Sequence, residues 1–405
     1  MIAGIDGARL IARIEELGAT GRDAEGRLTR LAGTDADRAG RDLLSGWLHA
    51  AGLRVEIDAI GNIYGIWNPE GATGDPLMIG SHIDTVIDAG QFDGCYGVLA
   101  GLSVIEAMQV GLAPARPLAV VAFTNEEGVR YAPDMLGSLV MAGGMAVEEA
   151  LAIRGTDGIT LGAELARIGY AGTLQPGAIR PHAYLELHIE QGPVLEAEGV
   201  ALGAVETLQG ISWQEVTIRG TANHAGTTPM RMRRDAGVAA AGLLVFLDEL
   251  ARRTEGGVAT VGQLRFEPGA INVIPGAARF TVDMRNPDEE RLQAQEEALA
   301  DALEDLRRDG FEVTATRLAR FEPVRFASEI VTAIETAATE RQLSCRRMTS
   351  GAGHDAQMVA RIAPAAMIFV PSRGGISHNP AEFTDPAALI AGANVLLDTA
   401  RRLLA

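Results

Sequence analysis

Residues 77–123 read LMIGSHIDTVIDAGQFDGCYGVLAGLSVIEAMQVGLAPARPLAVVAF. Two short apolar runs in this stretch, Leu77–Ile79 and Pro117–Phe123, have the length of buried strands, and Gly97–Met108 between them has the length of a helix. A strand, a helix and a strand with short connections predict a parallel sheet covered by helices. Further predicted elements of this α/β unit are the strands Tyr184–Ile189 and Ala365–Val370 and the helix Pro386–Leu404.

The region from about residue 210 to 322 has a different order of elements. It contains, in turn, the predicted strand Ile211–Gly220, helix Asp235–Arg252, strands Gly257–Phe266 and Asn272–Asn286, a helix from Pro287 to about Asp309, and strand Phe311–Arg320. Asn286 as N-cap, Pro287 in the first position and Glu289 in a capping box mark the start of the long helix. The order βαββαβ is that of a ferredoxin-like unit. We therefore predict an α/β domain with helices on both faces of its sheet, formed by residues 1–208 and 325–405, and an inserted domain formed by residues 209–324.

The composition limits the chemistry and the partners of the chain. Its 405 residues, 47% of them hydrophobic, suffice for two packed domains. All 35 basic residues are arginines, which excludes lysine Schiff bases, pyridoxal phosphate and a Walker-type phosphate loop. The net charge of -18 argues against nucleic acid or an anionic membrane as a partner. Cys95 and Cys345 lie far apart and predict neither a disulfide framework nor a cysteine zinc site.

The N-terminus lacks the unbroken apolar stretch of a signal peptide, because acidic residues interrupt it. Leu10, Ile14 and Leu17 instead fall at helical spacing. The longest nearly apolar run, Gly237–Leu247, is too short to span a bilayer. The sequence therefore predicts a soluble, cytoplasmic protein.

Three histidines, His82, His188 and His378, stand at or after the ends of predicted strands. Ligands bind outside the carboxyl ends of the strands in open α/β sheets, so these turns are where a site is expected. Asp84, two residues after His82, has the position of a carboxylate that orients a metal-binding histidine. Taken singly, each of these residues is more commonly structural, and Asp93 would serve equally well as a helix cap.

The adjacent glutamates Glu126 and Glu127 are harder to explain structurally. They end an apolar strand, where two crowded carboxylates repel each other unless a cation compensates. The simplest division of roles is one metal ligand and one general base. Imidazole and carboxylate ligands without thiolate suit zinc, manganese, cobalt or nickel. Together with His82, Asp93, His188 and His378 there are too many ligands for one tetrahedral ion, so we predict two divalent ions that share a carboxylate.

Other chemistries account for fewer of these residues. Catalysis by Cys95 and a histidine would leave the glutamate pair and His378 without a role. Neither Gly137-Ser138 nor Gly210-Ile211-Ser212 forms a GxSxG elbow, and no GxGxxG follows the first predicted strand.

The inserted domain offers a second set of polar residues. His224 follows its first predicted strand, and Arg285 lies on the polar face of the alternating stretch Ala278–Arg285. Arg285 is either an ordinary solvated residue or a bidentate clamp for a substrate carboxylate.

Several stretches of the chain match one protein family. They are GSHIDTV, QFDGCYGVLAG, TNEEGVRY, LHIEQGPVLE, NHAGTTPM, NVIPG, SGAGHDAQ and VPSRGGISHNPAEF, in this order from about residue 80 to 383. The chain thereby resembles the metal-dependent amidases of the M20 aminoacylase/carboxypeptidase type. Within them it is similar to the branch of N-carbamoyl-L-amino-acid hydrolases, β-ureidopropionases and allantoate amidohydrolases. The peptidases of the family carry a carboxylate where this chain has His188, which favours the amidase branch.

The resemblance implies a role for each matching residue. One metal ion would be bound by His82, Asp93 and His188, and the second by Glu127, His378 and the bridging Asp93. Glu126 would be the general base and Asp84 the residue that orients His82. The implied substrate-binding residues are Gln191, Trp213, His224, Asn272, Arg285 and Gly353. The family fold also implies a homodimer through the inserted lid domain, with His224 reaching the site of the partner subunit.

The resemblance points to a ureido substrate. Allantoate hydrolases of the family tend to have arginine where this chain has Trp213, and carbamoylases have tryptophan, although TVIDAG is similar to some plant allantoate enzymes. We therefore expect hydrolysis of an N-carbamoyl-L-amino acid to the amino acid, ammonia and carbon dioxide. The alternatives are an allantoate amidohydrolase or a β-ureidopropionase, then a dipeptidase or N-acyl aminoacylase, and finally a binding protein without catalysis.

Overall fold

A computed structural model of the protein describes residues 4–111 and 113–404. The chain divides into two compact units, a larger one of Met1–Glu206 and Phe326–Ala405 and an inserted one of Thr207–Arg325. The strands are β1 Arg54–Ile57, β2 Ile63–Trp67, β3 Leu77–His82, β4 Leu118–Phe123, β5 Ala183–Ile189, β6 Leu202–Leu208, β7 Gly210–Arg219, β8 Val258–Thr260, β9 Leu264–Glu267, β10 Ala277–Asn286, β11 Glu312–Phe321, β12 Val324–Arg325, β13 Cys345–Ser350 and β14 Ala365–Val370. The helices are α1 Gly7–Ala19, α2 Asp35–Ala50, α3 Cys95–Gln109, α4 Leu136–Met141, α5 Val147–Ala152, α6 Leu161–Ile168, α7 Val194–Glu198, α8 Ala236–Arg253, α9 Glu289–Arg308, α10 Ser328–Glu340, α11 Asp355–Val359 and α12 Pro386–Leu403.

The larger unit is built on a sheet with the strand order β1-β2-β4-β3-β5-β14-β6, in which β13 also pairs with β6. Its centre is parallel, since β3 pairs in parallel with β4 and β5, and β14 with β5. The outer strands β1, β2 and β6 pair antiparallel. The sequence predicts the parallel centre correctly. The apolar runs are buried on both faces, as expected for parallel strands under helical cover.

Helices cover both faces of this sheet, as predicted. Almost every residue of α3 is buried, because the helix lies between β3 and the helices α1 and α12. On β5, the side chain of Leu187 approaches Gly392 of α12, whereas the carboxylate of Glu186 accepts a hydrogen bond from the backbone N–H of Ala356 in α11. Neighbouring residues of a strand point to opposite faces, so α11 and α12 lie on opposite sides.

The inserted unit has an antiparallel sheet with the strand order β11-β7-β10-β8, and β9 also pairs with β10. Apolar residues of this sheet, of α8 and of α9 form its core, including Val216, Phe280 and Leu299. The order βαββαβ is as predicted, but Gly257–Phe266 is not one strand: it forms β8 and β9, with a break between Thr260 and Leu264.

The start of the long helix was predicted two residues too early. Asp288 is the N-cap of α9, and its carboxylate accepts from the backbone N–H of Arg291 at 3.1 Å. Asn286 ends β10 and is buried, where its side chain hydrogen-bonds Gln295 and the backbone of Asp288. In the part of the chain that the structure describes, no helix is long and apolar enough to cross a membrane.

Candidate metal centre

The parallel strands of the larger unit end at one edge of the sheet, and polar residues follow each end. His82 is the last residue of β3, and Glu126 and Glu127 stand three and four residues after the end of β4. His188 is the penultimate residue of β5, and His378 lies in the loop after β14. The sheet therefore delivers residues that are distant in sequence to one place, as the strand-end rule predicts.

Asp93 lies at the centre of these side chains. Its Oδ1 is 3.5 Å from Nε2 of His82 and 3.1 Å from Nε2 of His188. Its Oδ2 is 3.2 Å from Nε2 of His378 on the other side of the carboxylate. Among the described residues, three groups have metal-ligating atoms close together. Two of them contain Asp93, one of His82, Asp93 and His188 and one of Asp93, Glu127 and His378, and the third consists of Glu186, His188 and His354. The first two groups share Asp93.

The two buried histidines are held with the same ring nitrogen facing Asp93. Nδ1 of His82 lies 3.0 Å from the backbone oxygen of Asp84, and Nδ1 of His188 lies 2.9 Å from that of Ile189. A carbonyl oxygen only accepts, so Nδ1 carries a proton in both rings, and Nε2 is the nitrogen that faces Asp93. Nε2 is therefore the atom of each ring that a metal ion would bind.

The second group is more exposed. Nε2 of His378 is 3.4 Å from Oε2 of Glu127, and 51% of the His378 side chain is exposed. Oε1 of Glu127 is buried and has no hydrogen-bond partner among the described residues. A buried carboxylate oxygen without a partner is costly, and coordination of a cation would satisfy it. The donors present therefore fit a divalent ion at each group that contains Asp93.

The ionisation of the site reflects its crowded carboxylates. Burial raises the pKa of Glu126 well above its ordinary value, and burial together with Asp93 raises the pKa of Glu127 to about 8. Despite its burial, hydrogen bonds from His188 and His378 hold the pKa of Asp93 well below the usual range. The hydrogen bond to Asp93 raises the pKa of His378 to about 9. Like charges thus keep protons at this site, and divalent cations would displace them.

Asp84 differs from the expected geometry. It orients His82 through its backbone oxygen, whereas its carboxylate Oδ1 is 3.9 Å from the ring. That carboxylate instead accepts hydrogen bonds from the backbone N–H groups of Glu126 and Glu127, at 3.2 and 3.3 Å. Asp84 therefore joins the turn of His82 to the turn that carries the glutamates.

A cavity of about 130 Å³ opens onto the centre. It is lined by Asp93, Glu126, Glu127, Asp134, Gln191, Ala352, Gly353, His354 and His378. The predicted substrate-binding residues Gln191 and Gly353 are thus beside the predicted metal ligands. The amide nitrogen of Gln191 donates to Oδ2 of Asp93 at 2.8 Å.

Sequence reasoning assigned no role to Asp134 and His354. The signal for His354 was its place in the SGAGHDAQ stretch, beside Gly353. Its Nε2 is 3.0 Å from the hydroxyl of Ser350, and its ring packs edge-on against His188. Burial lowers the pKa of His354 well below its ordinary value, so it forms a neutral wall of the site.

The other four predicted substrate-binding residues lie in the inserted unit. His224 and Asn272 belong to adjacent turns, since His224 bridges to Val273 and the N–H of Ala225 donates to the Asn272 oxygen. These turns continue the β7–β10 ladder beyond Ala277. Arg285 is at the opposite end of β10, about 26 Å from Ala277 at a rise of about 3.3 Å per residue.

Arg285 and Trp213 stand near each other on neighbouring strands. Two nitrogens of the Arg285 guanidinium contact the carboxylate of Asp283, at 3.1 and 2.9 Å. Asp283 is the register partner of Trp213 on β7, and the Trp213 side chain is 40% exposed. The structure therefore separates the predicted substrate residues of this unit into two pairs.

A comparison with known proteins identifies the family of this chain. The profile of peptidase family M20/M25/M40 matches residues 78–402. The chain belongs to this family. An N-carbamoyl-L-amino-acid amidohydrolase of Rhizobium meliloti is 40% identical over 397 residues, which cover 97% of this chain and 95% of that protein. An allantoate amidohydrolase of Bacillus subtilis (strain 168) is 35% identical over 402 residues, which cover 96% of both.

Solved structures of the M20 family agree with this placement. The crystal structure of an amidase of the hydantoinase/carbamoylase family from Burkholderia multivorans superposes with a TM-score of 0.96 at 42% identity, covering 99% of this chain and 98% of that one. The predicted M20 family and its carbamoylase and allantoate branch are therefore confirmed. The protein is a hydrolase of this family, whose members are metal-dependent.

Proposed function

We propose that the protein hydrolyses the ureido C–N bond of an N-carbamoyl-L-amino acid. The observation that carries the proposal is the pair of ligand groups that share Asp93, with Glu126 beside them and a cavity above. The relative named N-carbamoyl-L-amino-acid amidohydrolase, at 40% identity over almost the whole chain, supports this substrate class. Water and the ureido acid would give the amino acid, ammonia and carbon dioxide.

Two divalent ions per chain are part of the proposal, with zinc, manganese, cobalt and nickel as the candidates. His82 and His188 would hold the first ion, Glu127 and His378 the second, and Asp93 both. Bound there, the ions supply Lewis acidity, which polarises the ureido carbonyl and makes a water molecule easier to deprotonate. The mixture of neutral imidazoles and carboxylates suits these metals.

Glu126 is the proposed general base. Its Oε2 is 3.4 Å from Nε2 of His82, so the carboxylate reaches the metal centre without belonging to either ligand group. It lines the cavity and has a raised pKa, which brings it closer to the pH at which a base can take and return a proton. Glu126 would remove a proton from the attacking water and deliver it to the leaving nitrogen.

A homodimer is proposed from the geometry of the inserted unit. His224 and Arg285 are at opposite ends of a sheet about 26 Å long, too far apart for both to contact one small substrate in a single copy. The apolar side chains near His224 are also exposed, with Met230 at 74% and Ile271 at 104% of their reference areas. We propose that Arg285 and Asn272 bind the substrate and that His224 reaches the metal centre of a partner subunit.

Allantoate is the second candidate substrate, because an allantoate amidohydrolase is 35% identical over nearly the whole chain. Allantoate carries a second ureido group, which needs its own polar partner. Trp213 offers an apolar ring and one N–H donor beside Arg285, which favours an amino-acid side chain over a second ureido group.

One assay tests the proposal. Metal-free protein is reconstituted with zinc, manganese or cobalt, ammonia release is measured from N-carbamoyl-L-amino acids, allantoate and N-carbamoyl-β-alanine, and release of free amino acids is measured from dipeptides. Faster turnover of an N-carbamoyl-L-amino acid than of the other compounds supports it. Faster turnover of allantoate would transfer the assignment to that substrate, and ammonia release from none of them would reject ureido hydrolysis.

A further inference from the structure

Glu382 is a buried carboxylate beside the metal centre that the proposed mechanism does not use. Its side chain is only 6% exposed, and it stands four residues after His378 in the SHNPAEF stretch. It does not belong to the described lining of the cavity, so contact with substrate does not explain it. A buried acid without a role in binding requires another explanation.

The carboxylate of Glu382 contacts the loops of two metal ligands at once. Its Oε1 accepts hydrogen bonds from the backbone N–H groups of Phe92 and Asp93, at 3.0 and 3.3 Å. Its Oε2 accepts one from the hydroxyl of Ser377 at 2.8 Å. One end of the carboxylate therefore holds the backbone of the bridging ligand, and the other holds the residue directly before His378.

The Ser377 hydroxyl extends this connection back to the bridging carboxylate. Its Oγ lies 3.5 Å from Oδ2 of Asp93, the oxygen that faces His378. The amide nitrogen of Gln191 bonds both the Ser377 hydroxyl and the same Asp93 oxygen, at 3.2 and 2.8 Å. These contacts thus connect Asp93, Gln191 and Ser377, the residue directly before His378.

Gly90 allows the close approach of Glu382. A Cβ atom at this position would lie 2.2 Å from Oε1 of Glu382, well inside van der Waals contact. The loop before Asp93 therefore leaves room for this carboxylate and for little else. The histidines of the first group are oriented differently, because Nδ1 of His82 and Nδ1 of His188 each face a backbone carbonyl close to their own strand end.

We propose that Glu382 is a positioning residue for the second metal ion, because it fixes the separation between Asp93 and His378. The inference rests on the two ions of the proposed function. His378 needs such support more than the strand histidines do, because it is half exposed and its φ of 52° is in the left-handed region. Residues that hold metal ligands in place typically affect metal affinity about 10–100-fold.

The test is a metal titration of the full-length, metal-free chain with Co²⁺, followed by calorimetry and by the absorption bands of the bound cobalt. We expect Glu382→Ala to weaken the second ion by about 10–100-fold and to leave the first nearly unchanged. Glu382→Gln should lose less, because its amide oxygen still accepts from Phe92 and Asp93. Ser377→Ala keeps the Glu382 contacts to Phe92 and Asp93 and removes those of the Ser377 hydroxyl with Glu382, Gln191 and Asp93. It carries the test if Glu382→Ala does not fold.

Glu164→Gln is the matched control. Like Glu382, Glu164 is only 6% exposed, but it forms ion pairs with Arg130 and Arg167 and belongs to none of the candidate metal-binding groups. The Glu164→Gln variant should unfold at a lower temperature than the parent chain and bind the second ion with the same affinity. Equal weakening of both ions by Glu382→Ala, or unchanged affinities, would overturn the inference alone. A parent chain that binds only one ion would reject the two-ion function and this inference together.

Discussion

Oδ2 of Asp93 lies 3.2 Å from Nε2 of His378, although the two residues are 285 positions apart in the chain. The other oxygen of the same carboxylate faces His82 and His188. A carboxylate with histidines on both sides has the arrangement of a bridging ligand between two ions. Four elements of the larger unit converge on it.

The bridging role predicts that Asp93→Ala weakens both ions. The parent chain should bind two divalent ions. At the same free metal concentration, the Asp93→Ala variant should bind fewer than one ion, because each ligand group loses a member. Elemental analysis after equilibrium dialysis gives the stoichiometry. One ion per chain in the parent, unchanged in Asp93→Ala, would contradict the shared carboxylate.

The adjacent glutamates should separate into two phenotypes. Glu127→Gln should lose the second ion, since the amide replaces a ligand oxygen. Glu126→Gln should retain both ions and lose about 10²–10⁴-fold in kcat, the usual contribution of a general base. Each variant controls for the other, because both remove one negative charge from the same turn. Near-parent turnover of metal-loaded Glu126→Gln would refute the assignment of the base.

Arg285→Lys should keep the fold and the metal content but lose substrate affinity. Lysine retains the charge but not the two-pronged geometry that matches a carboxylate. We expect the specificity constant for an N-carbamoyl amino acid to fall by roughly 2–5 kcal/mol in transition-state stabilisation. The corresponding N-carbamoyl amino-acid amide, which has no carboxylate, should be a poor substrate for both forms.

Arg279→Lys is the matched control on the same strand. Arg279 also pairs with a carboxylate, that of Glu215, but its side chain is 60% exposed. It should therefore change the specificity constant little. Equal fractional losses on the acid and the amide in Arg285→Lys would show that Arg285 acts through the structure of β10 rather than on the substrate.

The position of His224 predicts complementation between two inactive chains. Glu126→Gln lacks the base, and His224→Ala lacks the residue proposed to serve the partner. In a mixed dimer, one metal centre then has a normal Glu126 and receives a normal His224. Two differently tagged variants, co-expressed and purified through both tags, should recover about half of the parent turnover per dimer. No recovery in a dimer with both tags would place His224 in the site of its own chain.

The convergence of the candidate metal ligands could be predicted because the topology constrains their positions. Parallel strands place their carboxyl ends at one edge, so His82, Glu127 and His188 had to lie close together once the apolar runs were recognised as strands. The capping of α9 by Asp288 and the break between β8 and β9 could not be predicted. Both depend on small energy differences between neighbouring residues that could serve equally well as a helix cap or a strand end.

The contacts of Asp84 and Glu382 could not be predicted for another reason. Each carboxylate accepts hydrogen bonds from backbone N–H groups that are far away in the sequence. Asp84 accepts from the backbone of a turn 42 residues away, and Glu382 from one 289 residues away. Backbone N–H groups are present at every non-proline residue, so a sequence gives no sign of which of them a buried acid will find.

All the residues proposed to bind metal or to move protons lie in the larger unit, whereas Trp213, His224, Asn272 and Arg285 lie in the inserted one. Except for Gln191 and Gly353, the residues proposed to select the substrate are thus encoded in a different stretch of chain from those proposed to carry out the reaction. Substitutions in one stretch can retune the preferred substrate while the ions and the base stay where they are. For redesign, the inserted unit is the part to diversify.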